Sequence, residues 1–257
     1  VQDIVAADLS GDGNIDLAAA TSESQSIRVQ LGHGDGTFAP EEAYPVPIPP
    51  DFITVGDIDN DGVSDLGVAS SSVLDARVLV LRGVGDGTFE PATEITAPFG
   101  GMPTFSIVDI NRDGRSDIVG MFLPQTVATF LQQEDRSFDV LLSVLTLEIV
   151  NGPVVQTLSD LDDDGFLDLL VTAADRNRLY VLRGLGDGTV GPATAYATGP
   201  NPIDHALADF TGDGMEDVVV VSEAGNIASL FRGGSGGSLG PRIDFGVEGF
   251  PFAVVAR

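Results

Sequence analysis

An acidic nonapeptide returns five times along the chain, opening at Asp8, Asp57, Asp109, Asp160 and Asp209, with starts 49, 52, 51 and 49 residues apart. A self-similar period near 50 residues restricts the chain to a modular array, in which each repeat is one supersecondary unit that buries its apolar faces against its neighbours. The first constraint is therefore on architecture, and the chemistry has to be read inside the repeat.

Within the nonapeptide, positions 1, 3, 5 and 9 carry oxygen-bearing side chains and position 6 is always glycine. The five sets are Asp8, Ser10, Asp12 and Asp16; Asp57, Asp59, Asp61 and Asp65; Asp109, Asn111, Asp113 and Asp117; Asp160, Asp162, Asp164 and Asp168; and Asp209, Thr211, Asp213 and Asp217. A loop curling about a centre brings such side chains together, and the glycine supplies the backbone freedom that the curl needs. The carbonyls at position 7 (Asn14, Val63, Arg115, Phe166 and Met215) are expected as further ligands. Ca2+ takes six to eight oxygens with tolerant geometry, whereas Mg2+ keeps waters and fewer protein ligands, so the set points to calcium at about five sites. The loops at Asp57 and Asp160, with four carboxylates each, are expected to bind tightest. An EF-hand is excluded, because its bidentate Glu at position 12 is replaced by Ala19, Val68, Gly120, Val171 and Val220.

Between the acidic loops the pattern is that of strands. An apolar run such as Phe52-Ile53-Thr54-Val55 precedes each loop and another, such as Leu169-Leu170-Val171-Thr172, follows it. A third run, as in Arg77-Val78-Leu79-Val80-Leu81, leads into a turn such as Gly85-Asp86-Gly87-Thr88-Phe89, and a more polar fourth run closes the unit. Short apolar runs joined by Asp-Gly turns predict hairpins, and no stretch sustains a helical period. Four strands per unit of this length predict an all-β chain, a β-propeller of four-stranded blades.

With those residues in view, the Asp-x-Asp-x-Asp-Gly-x-x-Asp loops and Gly-Asp-Gly-Thr-Phe turns resemble FG-GAP or VCBS-type repeats, the blades of the integrin α-subunit propeller and of many bacterial extracellular propellers. The resemblance covers essentially the whole chain. It implies calcium ligands at loop positions 1, 3, 5 and 9, with the position 7 carbonyl. The repeats fall at about 1–50, 51–102, 103–153, 154–202 and 203–249 of a single domain over 1–257, with 250–257 an extra or ring-closing inner strand. Five blades, or part of a larger six- or seven-bladed ring, both fit this count. The third repeat reads Gln133-Glu134-Asp135-Arg136-Ser137-Phe138 where the others have glycines, which predicts a distorted outer hairpin.

The net charge of -27 arises from 39 acidic residues against 12 basic ones, all of them Arg. Such a surface repels nucleic-acid phosphate, and with no apolar stretch of 18 residues membrane insertion is not expected. Calcium loading and the family likeness imply a secreted protein: extracellular, cell-surface or periplasmic. The chain begins on Val1 rather than Met, which suits a processed or excised product. Catalysis is not expected. Cysteine is absent, and the two histidines, His33 and His205, occupy slots that hold aliphatic residues in other repeats. The glycine run 233–237 falls in a turn slot, which argues against a phosphate cradle. The function expected is a protein-interaction, adhesion or assembly scaffold; loops 44–50, 70–75 and 146–153 are irregular against the repeat's average, which reads first as ordinary variation in blade length and second as a recognition surface. A carbohydrate-binding propeller is the alternative, weakened by the absence of Trp. A polysaccharide-acting enzyme comes third.

Overall fold

Each repeat folds into four antiparallel strands hydrogen-bonded in chain order. The computed structural model describes residues 2–70, 77–96, 104–122, 126–144, 154–249, 251 and 253–255. The first sheet is β1 (Asp3–Ala7), β2 (Asp16–Thr21), β3 (Ser26–Gln30) and β4 (Glu42–Pro45). The second is β5 (Phe52–Gly56), β6 (Asp65–Ala69), β7 (Arg77–Leu81) and β8 (Thr93–Thr96). The third is β9 (Thr104–Val108), β10 (Asp117–Phe122), β11 (Thr126–Gln132) and β12 (Phe138–Val144). The fourth is β13 (Val154–Ser159), β14 (Asp168–Ala173), β15 (Arg178–Leu182) and β16 (Thr194–Ala197). In the fifth, β17 (Pro202–Ala208), β18 (Asp217–Ser222) and β19 (Ile227–Phe231) are followed by a small ribbon, β20 (Gly233–Gly234) with β21 (Ser238–Leu239), before β22 (Ile243–Gly246) completes the sheet. The glycine run 233–237 is thus a ribbon turn, as its slot predicts.

The residues form two compact units, 1–123 with 127–142 and 124–126 with 143–257. In the first unit, strand alternation distributes one strand between two cores. Leu79 and Leu81 of β7 pack with Leu9, Ile27 and Val29 of the first repeat, whereas Val78 and Val80 pack with Phe105 and Phe130 of the third. Successive side chains on a strand point to opposite faces, so a central strand buried on both sides must be continuously apolar. In the second unit, Leu170, Leu179 and Val181 meet Val218, Val220 and Phe231 in the same manner. Outer strands β4 and β16 are largely exposed, each burying only part of a tyrosine, Tyr44 and Tyr196.

Two loops expected as irregular have a definite structural role. Val46 and Ile48, within 44–50, are buried in the core shared by the first two sheets, and Pro47 O accepts from Arg77 Nη2 at 3.2 Å. The third-repeat turn closes as the glycine turns do. Gln133 N donates to Ser137 O at 2.8 Å, as Val84 N donates to Thr88 O at 2.9 Å. Arg136 adopts the left-handed φ of 64° that Gly36 and Gly87 supply elsewhere, so the predicted distortion is corrected at this closure. Segment 146–153, and all of 70–75 but Ser70, lie outside the described residues. Near the C-terminus, Val254 N donates to Asp204 Oδ2 at 2.8 Å, just as Ile53 N of β5 donates to Asp3 Oδ2 of β1 at 3.1 Å.

Candidate metal centres

The acidic nonapeptide joins the first two strands of every sheet, and strand register closes it. The position 9 Asp pairs with the residue preceding position 1, in the pairs Ala7–Asp16, Gly56–Asp65, Val108–Asp117, Ser159–Asp168 and Ala208–Asp217. Inside this frame the position 1 carboxylate organises the curl. It accepts from the position 6 glycine N–H at 2.9 Å at Asp8, Asp57, Asp109 and Asp209 and at 2.8 Å at Asp160. The position 5 carboxylate accepts from the position 7 N–H, at 2.8 Å for Asp12 with Asn14 and 3.0 Å for Asp213 with Met215. These bonds hold Asp12 and Asp209 below the usual carboxylate range, the largest contributions being the N–H groups of Asn14 and Gly214.

Two loops assemble three carboxylates each. Asp57, Asp59 and Asp61 bring one oxygen apiece within 4.8 Å of one another, as do Asp160, Asp162 and Asp164. Ligands on opposite sides of a Ca2+ at about 2.3–2.6 Å stand roughly 5 Å apart, so this spacing fits the ion. Asp59 strengthens the fit, because its Oδ1 is buried and has no hydrogen-bond partner. In the other loops position 3 is neutral. Asn111 Nδ2 donates to Asp113 Oδ2 at 3.0 Å, and Arg115, expected to offer a carbonyl, also places its guanidinium Nη2 2.5 Å from that oxygen.

Position 9 is different in kind. Asp16, Asp65, Asp117, Asp168 and Asp217 are all buried, and Asp65 and Asp168 lie outside the three-carboxylate groups. One oxygen takes a loop N–H, as Asp65 Oδ2 does from Ile58 at 2.8 Å. The other takes the N–H of the second residue beyond the third strand: Gly32, Gly83, Gly184 and Gly233, with Gln132 at the end of β11 in the third repeat. This carboxylate therefore latches the loop to the far hairpin. Burial raises Asp65 and Asp168 and lifts Asp117 to about 6, against N–H bonds from Gln132 and Ile110 that lower it.

Sequence reasoning missed a second anchor. Position 2 is apolar in every loop, and Leu9, Ile58, Ile110 and Leu161 are buried beneath it. In the fifth loop Phe210 is exposed instead, and Asp217 Oδ2 takes its loop N–H from Thr211 at 2.9 Å. The signal was available in the sequence as an invariant apolar neighbour of each opening Asp.

Of the histidines, His205 is buried on β17 with Nδ1 2.8 Å from Thr172 Oγ1, and desolvation lowers it to about 4. It is a core histidine, as its slot predicts. The carbonyls of Gly236 and Gly237 accept from Arg183, so the ribbon turn presents acceptors where a phosphate would need donors. Among the described residues no helix is long and apolar enough to cross a membrane.

Five four-stranded antiparallel sheets, each with an acidic loop between its first two strands, define a β-propeller. Residues 8–68, 57–120 and 160–220 match the FG-GAP-like repeat, and the chain belongs to that family. No curated protein matches it in sequence. Solved structures share the fold at low identity. An Agrocybe aegerita lectin described as recognising non-reducing terminal N-acetylglucosamine is 19% identical, with a TM-score of 0.67 over 95% of this chain and 66% of the lectin chain. The Pseudomonas aeruginosa periplasmic gluconolactonase is 21% identical, with a TM-score of 0.63 over 95% of this chain and 70% of the enzyme. BBS1N, solved in complex with ARL6DN, is 15% identical with a TM-score of 0.60, over 95% of this chain and 68% of that one. The chain thus spans about two thirds of the length of these relatives. The gluconolactonase corrects one expectation. An enzyme shares this fold, so the expected absence of catalysis, argued from residue types alone, is not supported.

Proposed function

We propose that the chain is a calcium-stabilised propeller segment of an extracytoplasmic protein, and that its exposed loops recognise a protein partner within an adhesion or assembly complex. The observation that carries this reading is the convergence of Asp57, Asp59 and Asp61, and of Asp160, Asp162 and Asp164, at a spacing suited to Ca2+. By the repeat's regularity each of the five loops holds one ion, with the position 7 carbonyl and, through the remaining lone pairs of its oxygens, the position 9 carboxylate completing the shell. Sites of this kind suit the high calcium outside the cytoplasm. The acidic surface favours partners rich in Arg. Affinity capture from the secreted fraction of the source organism, in calcium and in chelator, tests the reading. A partner retained only in calcium supports it; identical capture in chelator contradicts it.

A carbohydrate ligand is the second reading, favoured by one surface feature. Phe38, 40% exposed, lies with Asn14 and Ile15 around an open hollow of about 370 Å³. An aromatic face beside an amide suits a sugar ring. A glycan array on which Phe38→Ala abolishes the signal would favour this reading over the first.

A further inference from the structure

The second metal loop is held by two arginines from outside it. The Asp59 side chain is 3% exposed, and its Oδ2 lies 2.9 Å from Arg136 Nη1 and 3.2 Å from Arg82 Nε. Arg82 follows β7, and Arg136 sits in the turn before β12. Both also line a cavity of about 310 Å³ walled by Val80, Ile95, Phe138 and Val140. Glu94, the acid at its edge, is paired with Arg77 at 3.3 Å.

In the first four repeats, but not the fifth, an arginine after the third strand accompanies a fourth carboxylate. The repeats with Asp59 and Asp162 have Arg82 and Arg183 there, whereas those with Ser10 and Asn111 have Leu31 and Leu131. The fifth departs from this, having Arg232 where position 3 is the neutral Thr211. In the fourth repeat, Arg183 is committed to Asp168 and to the Gly236 and Gly237 carbonyls. The second repeat alone adds another guanidinium to its loop carboxylate, together with an apolar-walled cavity, among the described residues.

Asp59 therefore has two competing uses. Its unpartnered Oδ1 belongs to the three-carboxylate group, while Oδ2 neutralises Arg82 and Arg136. A cation drawing on Asp59 weakens its hold on both guanidiniums, which then face the cavity short of a counter-ion. Two forked donors above an apolar wall match a carboxylate on a small carbon frame. The volume is at the lower end of those of small-molecule sites, which favours a small organic acid over a macromolecule.

We propose that this cavity between the second and third sheets binds a small organic carboxylate through Arg82 and Arg136, and that cation binding at Asp57, Asp59 and Asp61 opens the site by withdrawing Asp59. The inference rests on the calcium reading. Linkage requires the carboxylate to tighten calcium by the same factor as calcium tightens the carboxylate, roughly 5-fold or more.

Calorimetric titration of the full chain with glucuronate, N-acetylglutamate and benzoate, and with glucose as the uncharged control, tests this in calcium and in chelator. At least one acid binds in calcium, binds at least 5-fold more weakly in chelator, and does not compete with glucose. Arg136→Gln abolishes that binding and tightens calcium at the second loop, while Arg28→Gln, on a remote pair with Glu41, changes neither. Asp59→Asn keeps the side-chain volume, loses the second-loop ion, and binds the acid equally well in calcium and chelator. No binding of any of the three acids at millimolar concentration, or acid binding by Asp59→Asn that still requires calcium, would overturn the proposal. If wild type takes up no calcium while Asp59→Asn binds the acid, the calcium reading has failed and the coupling fails with it, but the arginine cavity stands.

Discussion

Three carboxylate positions in one loop do different work. Asp16 is buried and accepts from Leu9, Ser10 and Gly32 N–H groups at 2.9, 3.1 and 2.7 Å, so removing it strands backbone donors in the interior. At about 1–3 kcal/mol per stranded group, Asp16→Ala should cost roughly 3 kcal/mol or more already in chelator, and more in calcium, where its remaining lone pairs complete the shell. Asp12 is exposed and accepts only within its own turn, so Asp12→Ala should matter in calcium and scarcely at all in chelator. Denaturant melts of both variants under both conditions separate the latch from the ligand. Titration behaviour follows the same division. Folded Asp117 holds its proton up to about pH 6, whereas the unfolded residue releases it near 3.8. Its contribution is therefore present below pH 3.8 and lost as pH rises to 6. Asp12, Asp35, Asp86 and Asp209 have lowered values, and their contributions are lost as pH falls below 3.8. The metal-free chain should be most stable near pH 4, and saturating calcium should reverse the slope between 4 and 6, because the ion needs ionised carboxylates. A metal-free stability that climbs steadily from pH 4 to 6 would contradict this assignment.

At the scale of the hairpin and loop, the glycines divide by cause. Gly36 has φ of 88° with open space around its Cα, so Gly36→Ala should cost only backbone strain, about 1 kcal/mol. Gly32 has an ordinary φ, but a Cβ there would meet the Ile15 carbonyl at 2.2 Å. Gly32→Ala forces the latch apart and should cost about 3 kcal/mol. Equal thermal shifts for the two variants would refute the distinction. The hairpin glycines were legible in the sequence because Gly-Asp-Gly names a turn. The Gly32 slot was not, since its requirement comes from a carbonyl in a different loop. The same holds for Asp65 and Asp168. Composition marks them as ligands beside Asp57 and Asp160, and only the pairing of the second and third strands reveals that their oxygens are already engaged. Strand order was readable because each repeat is local. Val46 and Ile48 were hidden among prolines, and their burial depends on the neighbouring sheet.

Over the whole molecule, repetition makes architecture the most legible property and function the least. Five copies of Asp-x-x-x-Asp-Gly report a blade; the single pairing of Arg136 with Asp59, 77 residues apart, appears once and has no period to betray it. Without metal the loops would crowd like charges together, so metal binding should act as folding energy. The most direct test of the central claim is calcium stoichiometry measured together with a thermal melt in calcium, in magnesium and in chelator. The account predicts close to five ions per chain and a large, calcium-specific rise in Tm. No bound calcium, or equal melting in all three conditions, would contradict it.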